Sequence, residues 1–272
     1  MPELPEVETM VRDLRARLPG RRITGVDIAF TGSIGYPEPR ELVDRVVGQE
    51  IVTISRRGKY AVLGLASDDR LIVHRGMTGS LLVRRRGDDL ESHVRLTFLL
   101  DNDGELRFRD MRKFGRVLLM HSGERALPFE KMGPEPLRRS FTAARLAGSL
   151  QGRSGLLKPL LLGQRVVAGL GNIYVDEALF HSRIHPRRVA GSLSEAEVGR
   201  LHRAIRSVLN AAIEGRGTTF RSYEDINGNA GAFQSRLAAY GRVGEPCRRC
   251  GWPIERIVVG GRGTYFCPHC QI

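Results

Sequence analysis

Lysine is nearly missing from this chain. Of 43 basic residues only Lys59, Lys113, Lys131 and Lys158 are lysines, so arginine is the default cation and any single arginine says little. A lysine kept against that bias says more, because a desolvated ammonium can release its proton and serve as donor or nucleophile, which a guanidinium cannot do. Long apolar runs are missing too. Nothing approaches the ~18 residues of a membrane span, and the N-terminus has neither the basic start nor the apolar stretch of a secretory signal. A soluble cytoplasmic protein without a membrane partner is expected. Acids are in short supply: 30 against 43 bases leave a formal charge of +13 over 272 residues. Such a balance points to a polyanionic partner, more often nucleic acid than a membrane surface.

Cysteine is scarce and confined. The four cysteines form CRRC (Cys247, Cys250) and CPHC (Cys267, Cys270), with sixteen residues between the pairs. Two C-x-x-C knuckles at that separation match a four-cysteine structural zinc site, and they suit tetrahedral metal geometry better than disulfides. Between them IERIVVGGRGTYF alternates and turns at Gly260 and Gly261, so one zinc ion is expected to staple a β-hairpin with Arg262 near its tip. His269 lies inside a knuckle and is not counted as a ligand.

From Ile23 to about Met120 the chain reads as short strands (VDIAF, IVTIS, KYAVLGL, LIVH, SLLVR, VRLTFLL, ELRFRD, RVLLM) separated by turn signals, which predicts an antiparallel sandwich or barrel. GPEPL at 133–137 marks a hinge, after which helical periodicity takes over. In SEAEVGRLHRAIRSVLNAAIEG, Ser194 and Glu197 make a capping box and Val198, Leu201, Ile205, Leu209 and Ile213 a buried stripe. SGLLKPLLLGQRVVAGLGNIYVDEALF reads as two helices around an AGLGN turn, with Asn172 as N-cap and free backbone N–H groups suited either to ordinary capping or to a phosphate. The aperiodic stretch 215–235 is rich in Gly, Asn and Ser, and a loop of that length is either disordered or a working lid, the lid spanning about 217–234.

The opening MPELPEVETM is unusual for so basic a chain. Pro5, Glu6 and Glu8 suit the first turn of a helix and Val7, Met10, Val11, Leu14 and Leu18 recur at helical spacing, which leaves Pro2 and Glu3 unexplained. Removal of Met1 would give Pro2 a secondary α-amine of pKa near ~8, substantially neutral at cellular pH and able to attack an electrophilic carbon such as a sugar C1′. Glu3 would then stand beside it for proton transfer. A second reading takes Glu3, Glu6 and Glu8 as carboxylate ligands of a metal-dependent nuclease; a third takes the whole chain as a non-catalytic zinc-ribbon DNA-binding protein.

MPELPEVET, RRGKY at 56–60, HRGMTGS at 74–80, DMRKFG at 110–115, GPEPL, GLGNIY and GRGTYFCPHCQ, in this order, resemble the bacterial formamidopyrimidine-DNA glycosylase family from end to end. The resemblance implies an α+β fold: an N-terminal catalytic β-sandwich domain (1–132), a hinge (133–140), a helical DNA-binding domain of helix-two-turns-helix type (141–236) and a zinc finger (237–272). It implies excision of oxidised purines, 8-oxoguanine and formamidopyrimidines, followed by β,δ-elimination at the abasic site. Pro2 is then the Schiff-base nucleophile, Glu3 the acid/base, Lys59 an elimination catalyst, and Arg262 a phosphate contact that assists the second elimination. Met77 becomes the wedge that fills the hole left by a flipped base, with Arg112 and Phe114 on the orphaned-base side. His74, His93, Arg153, Lys158 and Asn172 fall at DNA-contacting positions. The implied partner is double-stranded DNA carrying oxidised purines, met by a monomer at the bacterial nucleoid. The sister branch that removes oxidised pyrimidines usually begins P-E-G-P-E, unlike this chain. Three positions depart from the family's habit: Arg75 replaces a leucine, Met111 a proline, and Glu91 the first of two histidines.

Overall fold

A computed structural model describes residues 2–124, 128–219, 226 and 228–272. The chain divides into two compact units, Met1–Leu127 with Arg216–Ala232, and Pro128–Gly215 with Phe233–Ile272.

The first unit begins with helix α1 (Leu4–Arg15), whose N-terminal turn holds Pro5 and whose Val7, Met10, Val11 and Leu14 are buried. Nine strands follow: β1 (Ile23–Ile28), β2 (Ile34–Tyr36), β3 (Ile51–Arg57), β4 (Tyr60–Leu65), β5 (Asp69–His74), β6 (Ser80–Arg85), β7 (Val94–Leu100), β8 (Gly104–Arg109) and β9 (Arg116–His121). They form a four-stranded sheet in the order β1-β7-β8-β6 and a five-stranded sheet in the order β2-β9-β5-β4-β3. Pairings are antiparallel except β2 with β9. Leu63, Val73 and Val117 of one sheet share a core with Leu96, Phe98 and Phe108 of the other and with the apolar stripe of α1. That shared core resolves the choice between sandwich and barrel: the unit is a sandwich.

Two elements escape the strand reading of 23–120. β2 is three residues long. Helix α2 (Pro39–Val46) occupies a stretch between predicted strands, with proline at its start and Leu42 and Val46 buried one turn apart. Eight residues carry too little periodicity to stand out.

The second unit is helical: α3 (Ala143–Leu150), α4 (Leu157–Leu162), α5 (Asn172–Ser182) and α6 (Glu195–Glu214), the last opened by the expected Ser194–Glu197 capping box. Asn172 was expected as the N-cap of α5, but Gly171 caps it and Asn172 is the first helical residue. The reason is chemical, since the Asn172 amide donates elsewhere, to the Gly263 carbonyl at 2.9 Å. Strands β10 (Glu255–Val259) and β11 (Arg262–Phe266) make the predicted hairpin. Val259 pairs with Arg262, so Gly260 and Gly261 are its two turn residues, at φ +56° and +73°. Two successive positive φ values are what a tight hairpin turn demands and what glycine supplies without strain.

The described residues of 216–232 group with the β-sandwich, although the sequence reading ran the helical domain through 236. Arg216 pairs with Asp13 at 2.6 Å, and the Thr218 N–H donates to Glu6 Oε1 at 2.9 Å. The lid expected at 217–234 falls partly at 220–225 and 227, outside the described residues.

A steric prediction follows from Gly76. Its φ is +60°, and a Cβ there would come within 2.6 Å of the Gly115 nitrogen and the Phe114 carbonyl carbon. Gly76→Ala should cost about 2 kcal/mol or more in denaturant unfolding, since the strained backbone and the clash add. Gly20→Ala is the control, with φ +80° but nothing within 4 Å of the added carbon. Equal losses in the two variants would refute the close packing of the turns.

Candidate functional site

The N-terminal end of α1 and the β3–β4 turn lie at the same end of the sandwich. Arg15 Nε donates to the Ile54 carbonyl at 2.7 Å, and Arg56 Nε pairs with Glu8 Oε2 at 2.9 Å. Seven residues back along the helix therefore correspond to two residues forward along β3, and continuing in that direction brings Pro2 and Glu3 toward the turn that carries Lys59. Arg56 Nη1 also donates to the Gly58 carbonyl at 2.9 Å, which ties that turn to the helix. Pro2, Glu3 and Lys59 are all buried. Glu6, only one turn along, supports Glu3 through the Glu3 N–H at 2.8 Å.

His74 stands opposite Tyr60, the residue after Lys59, across β4 and β5, with ring centroids 4.8 Å apart. Burial and the charge of Lys59 hold its imidazole below the ordinary histidine value, so His74 is neutral at pH 7 and acts there as a hydrogen-bonding group rather than a cation. Beyond it the 75–79 and 110–115 turns are locked together by one carboxylate. Asp110, fully buried, accepts from the Thr78 hydroxyl, from the Arg112 N–H at 3.2 Å and from the Gly115 N–H at 2.7 Å. The Asp110 N–H in turn donates to the His93 carbonyl at 3.0 Å, so His93 supports this turn through its backbone. The locked turns present Met77, Met111 and Phe114 at 38%, 59% and 52% exposure, unusual for large apolar side chains. The Arg112 guanidinium lies 5.0 Å over the Phe114 ring. An apolar wedge beside a stacked cation is suited to entering an opened base stack.

The departures at Glu91 and Arg75 have structural partners. Glu91 pairs with Arg84 and, at 2.8 Å, with the buried Arg107, which holds its carboxyl below the usual range despite burial. Arg75 Nε donates to the Gly79 carbonyl at 2.6 Å and closes its turn.

In the second unit, Arg153 and Arg262 are exposed, whereas Lys158 is fully buried. The resemblance puts Lys158 at a DNA-contacting position. Its ammonium lies 2.6 Å from Asp176 Oδ1 and donates to Thr264 Oγ1 at 2.8 Å and to the Gly263 carbonyl at 3.2 Å. Asn172 reaches that same carbonyl, and Thr264 Oγ1 donates to the Arg262 carbonyl at 2.9 Å. The backbone around Arg262 is thus clamped from inside. Burial pushes the Asp176 carboxyl up to about 7 against the opposing pull of Lys158.

The four cysteine sulfurs lie within 4.8 Å of one another, and none is in a disulfide. Sulfurs on a tetrahedral zinc at ~2.3 Å would stand about 3.8 Å apart, so the donor set fits the ion with little movement. Backbone N–H groups of Arg249 and Cys270 donate to Cys247 and Cys267 Sγ, each at 3.4 Å, as thiolates require. His269 is not part of that cluster, and its ring stacks on Trp252 with centroids 5.8 Å apart.

Sequence reasoning missed the supports: Asp110 and Thr78 beneath the wedge, Glu6 and Glu8 behind the N-terminus, and Asp176 beneath the hairpin. Only Glu6 and Glu8 carried a signal, as acids in a helix's first turns.

A β-sandwich unit that displays large apolar side chains and a helical unit with a four-cysteine hairpin together suit a DNA-handling protein, and comparison with known proteins identifies the class. The formamidopyrimidine-DNA glycosylase N-terminal domain matches residues 1–117, the H2TH domain of the same enzymes 132–223, and the zinc finger found in FPG and IleRS 244–272. Formamidopyrimidine-DNA glycosylase of Pelotomaculum thermopropionicum is 45% identical over 273 residues, covering 100% of this chain and 99% of the relative. That of Symbiobacterium thermophilum is 48% identical over 273 residues, covering 100% and 89%. Among solved structures, Lactococcus lactis Fpg in complex with DNA containing an abasic site matches with a TM-score of 0.92 at 39% identity, covering 99% of each chain. MutM in complex with DNA containing carbocyclic 8-oxo-G matches at 0.91 and 39%, again covering 99% of each. The chain belongs to the formamidopyrimidine-DNA glycosylase family.

Two outcomes test the second unit. Lys158→Met leaves Asp176 buried without its cation and should cost about 3–5 kcal/mol in urea unfolding, whereas Lys158→Met/Asp176→Leu should recover most of that loss. A double variant as unstable as the single one would deny the pair. Cys267→Ser should lose bound zinc by metal analysis and leave the 255–266 amides unprotected in hydrogen exchange; retained zinc would contradict the four-sulfur site.

Proposed function

We propose that this chain excises oxidised purines, 8-oxoguanine and formamidopyrimidines, from double-stranded DNA and then cuts the abasic strand by β- and δ-elimination. What supports the reading is that Arg56 ties helix α1, which begins just after Pro2 and Glu3, to the turn that carries Lys59, with His74 on the next strand and with Met77, Arg112 and Phe114 exposed on the 75–79 and 110–115 turns.

Met77 fills the stack when the damaged base turns out, and Arg112 and Phe114 meet the base left behind. The Pro2 amine, free once Met1 is removed, attacks C1′, and the C1′–N bond breaks with its electron pair leaving on the base. The amine proton is lost, the C1′–O4′ bond then breaks with its electron pair going to O4′, which takes a proton from Glu3, and an iminium joins Pro2 to the opened sugar. Glu3 carries protons at that sugar. Loss of a C2′ proton expels the 3′ phosphate, and a second elimination expels the 5′ phosphate, with Lys59 and Arg262 stabilising the departing charges. His74, Asn172, Arg153 and the His93 turn hold the backbone in register. Lys158 acts in this scheme by clamping the hairpin that presents Arg262. Cys247, Cys250, Cys267 and Cys270 would hold zinc as four thiolates, and the metal would supply structure and no chemistry. The protein works as a monomer on chromosomal DNA in the bacterial cytoplasm; no helix among the described residues is long and apolar enough to cross a membrane.

Incubation with an 8-oxoguanine duplex under borohydride and EDTA should trap a covalent adduct that maps to Pro2. An adduct at Lys59, or none despite lesion binding, would overturn the assignment, and loss of cleavage on brief EDTA treatment would favour a metal nuclease. Glu3→Gln should abolish excision while changing duplex affinity less than about twofold, because one carboxylate contributes little to holding a polyanion.

A further inference from the structure

The second unit has a basic cavity of about 430 Å³ along one face of α6, and no carboxylate lines it. Three guanidiniums border it: Arg200 and Arg203 on α6, and Arg236 just past Phe233. Among the described residues Arg203 and Arg236 form no ion pair, and both are exposed. Arg200 commits only its Nε, to the Ser182 carbonyl at 3.2 Å. The nearest acid on α5, Glu177, is buried, accepts three backbone N–H groups, from Ala238, Ala239 and Tyr240, each at 2.8 Å, and lies 3.9 Å from His181 Nε2 at the cavity's edge; it pairs with none of the three guanidiniums. The floor is apolar, made by Ala204, Val208 and Phe233.

We infer that this groove docks an acidic, extended peptide segment of a partner protein that carries a branched apolar side chain between its carboxylates. Charge complementarity selects the polyanion, and the floor selects among polyanions. A single nucleic acid strand gains affinity by stacking bases on exposed rings, but the ring here, Phe233, is 4% exposed and packs against Tyr174; a duplex binds through its phosphates and would leave the apolar floor unused. Ala204 and Val208 leave room for a leucine-sized group. The lining runs from Arg200 to Ala211, about 16 Å of helix at ~1.5 Å per residue, which matches about five residues of extended peptide at ~3.3 Å each. His181 marks this cavity at the C-terminal end of α5, about 14 Å along the helix from Asn172 at its start. Within the second unit the groove is therefore separate from Asn172, the residue of α5 given a DNA-contacting role above.

The test uses the full-length zinc-loaded protein and a fluorescein-labelled octapeptide of alternating aspartate and leucine, read by anisotropy at about 150 mM salt. A peptide of alternating aspartate and serine keeps the charge and removes the apolar groups. The aspartate–leucine peptide should bind at least fivefold more tightly than its serine counterpart. Arg203→Glu/Arg236→Glu should weaken it at least tenfold, and Ala211→Trp, which fills the groove without altering charge, should do the same. Cleavage of an 8-oxoguanine duplex should stay within twofold in both variants, whose folding is checked by thermal melting. Equal binding of the two peptides, or binding unchanged in the variants, would reduce the effect to the overall charge of +13 and overturn the inference. Duplex affinity falling in step with peptide affinity would assign the surface to DNA and overturn it equally.

Discussion

A buried carboxylate is tolerated only where several donors converge on it, and this fold uses that constraint repeatedly to hold its working parts. Asp110 gathers the Thr78 hydroxyl and two backbone N–H groups, from Arg112 and Gly115, and so fixes two turns as one platform. Glu6 holds the Glu3 N–H and the Thr218 N–H. Glu177 holds the backbone at Ala238–Tyr240, and Asp176 takes the Tyr265 N–H together with the Lys158 ammonium. Acids are few in a chain of net charge +13, and these four are turned inward. Each bond to an ionised acceptor is worth roughly twice a neutral one, so a segment tied this way stays put when its surface side chains are pulled by a ligand.

The same division of labour explains why the bases lie outside. Arginine dominates the surface, where a planar, always-charged group meets phosphates or carboxylates without a protonation cost. Arg107 is one exception that keeps to the rule: it is 2% exposed and is surrounded by Glu105, Glu91 and the carbonyls of Asp88 and Asp89, and buried Arg75 likewise donates to the Gly79 carbonyl. Lys158 is buried under the same condition, with Asp176 as counterion and two oxygen acceptors besides.

Legibility in the sequence followed the range over which each interaction acts. Helix α1, the capping box of α6 and the zinc hairpin depend on residues a few positions apart, and all were readable. The strands were readable as alternation, but β2 and α2 were too short to show a period. The displayed side chains Met77, Arg112 and Phe114 were located through family resemblance; nothing in their own neighbourhood separates a wedge from a core residue. The supports were out of reach because their partners are remote: Thr78 lies 32 positions from Asp110, Ala238 61 from Glu177, and Thr218 212 from Glu6. The burial of Lys158 was out of reach for the same reason, since a retained lysine signals desolvation or reactivity equally and its partners Asp176 and Thr264 are remote in the chain.

The zinc hairpin shows how local and remote constraints combine. Its local fold needs only the four sulfurs and the Gly260–Gly261 turn, which would hold Arg262 at a hairpin tip in any setting. Its direction is set elsewhere, by Lys158 and Asn172 on the Gly263 carbonyl and by Asp176 on the Tyr265 N–H, all from helices α4 and α5. Metal and clamp therefore constrain different degrees of freedom. Loss of zinc removes the hairpin, whereas loss of the clamp leaves a folded hairpin free to swing. The position of the backbone around Arg262 therefore depends on the clamp as well as on the metal site, although no residue of the clamp is one of the four cysteines.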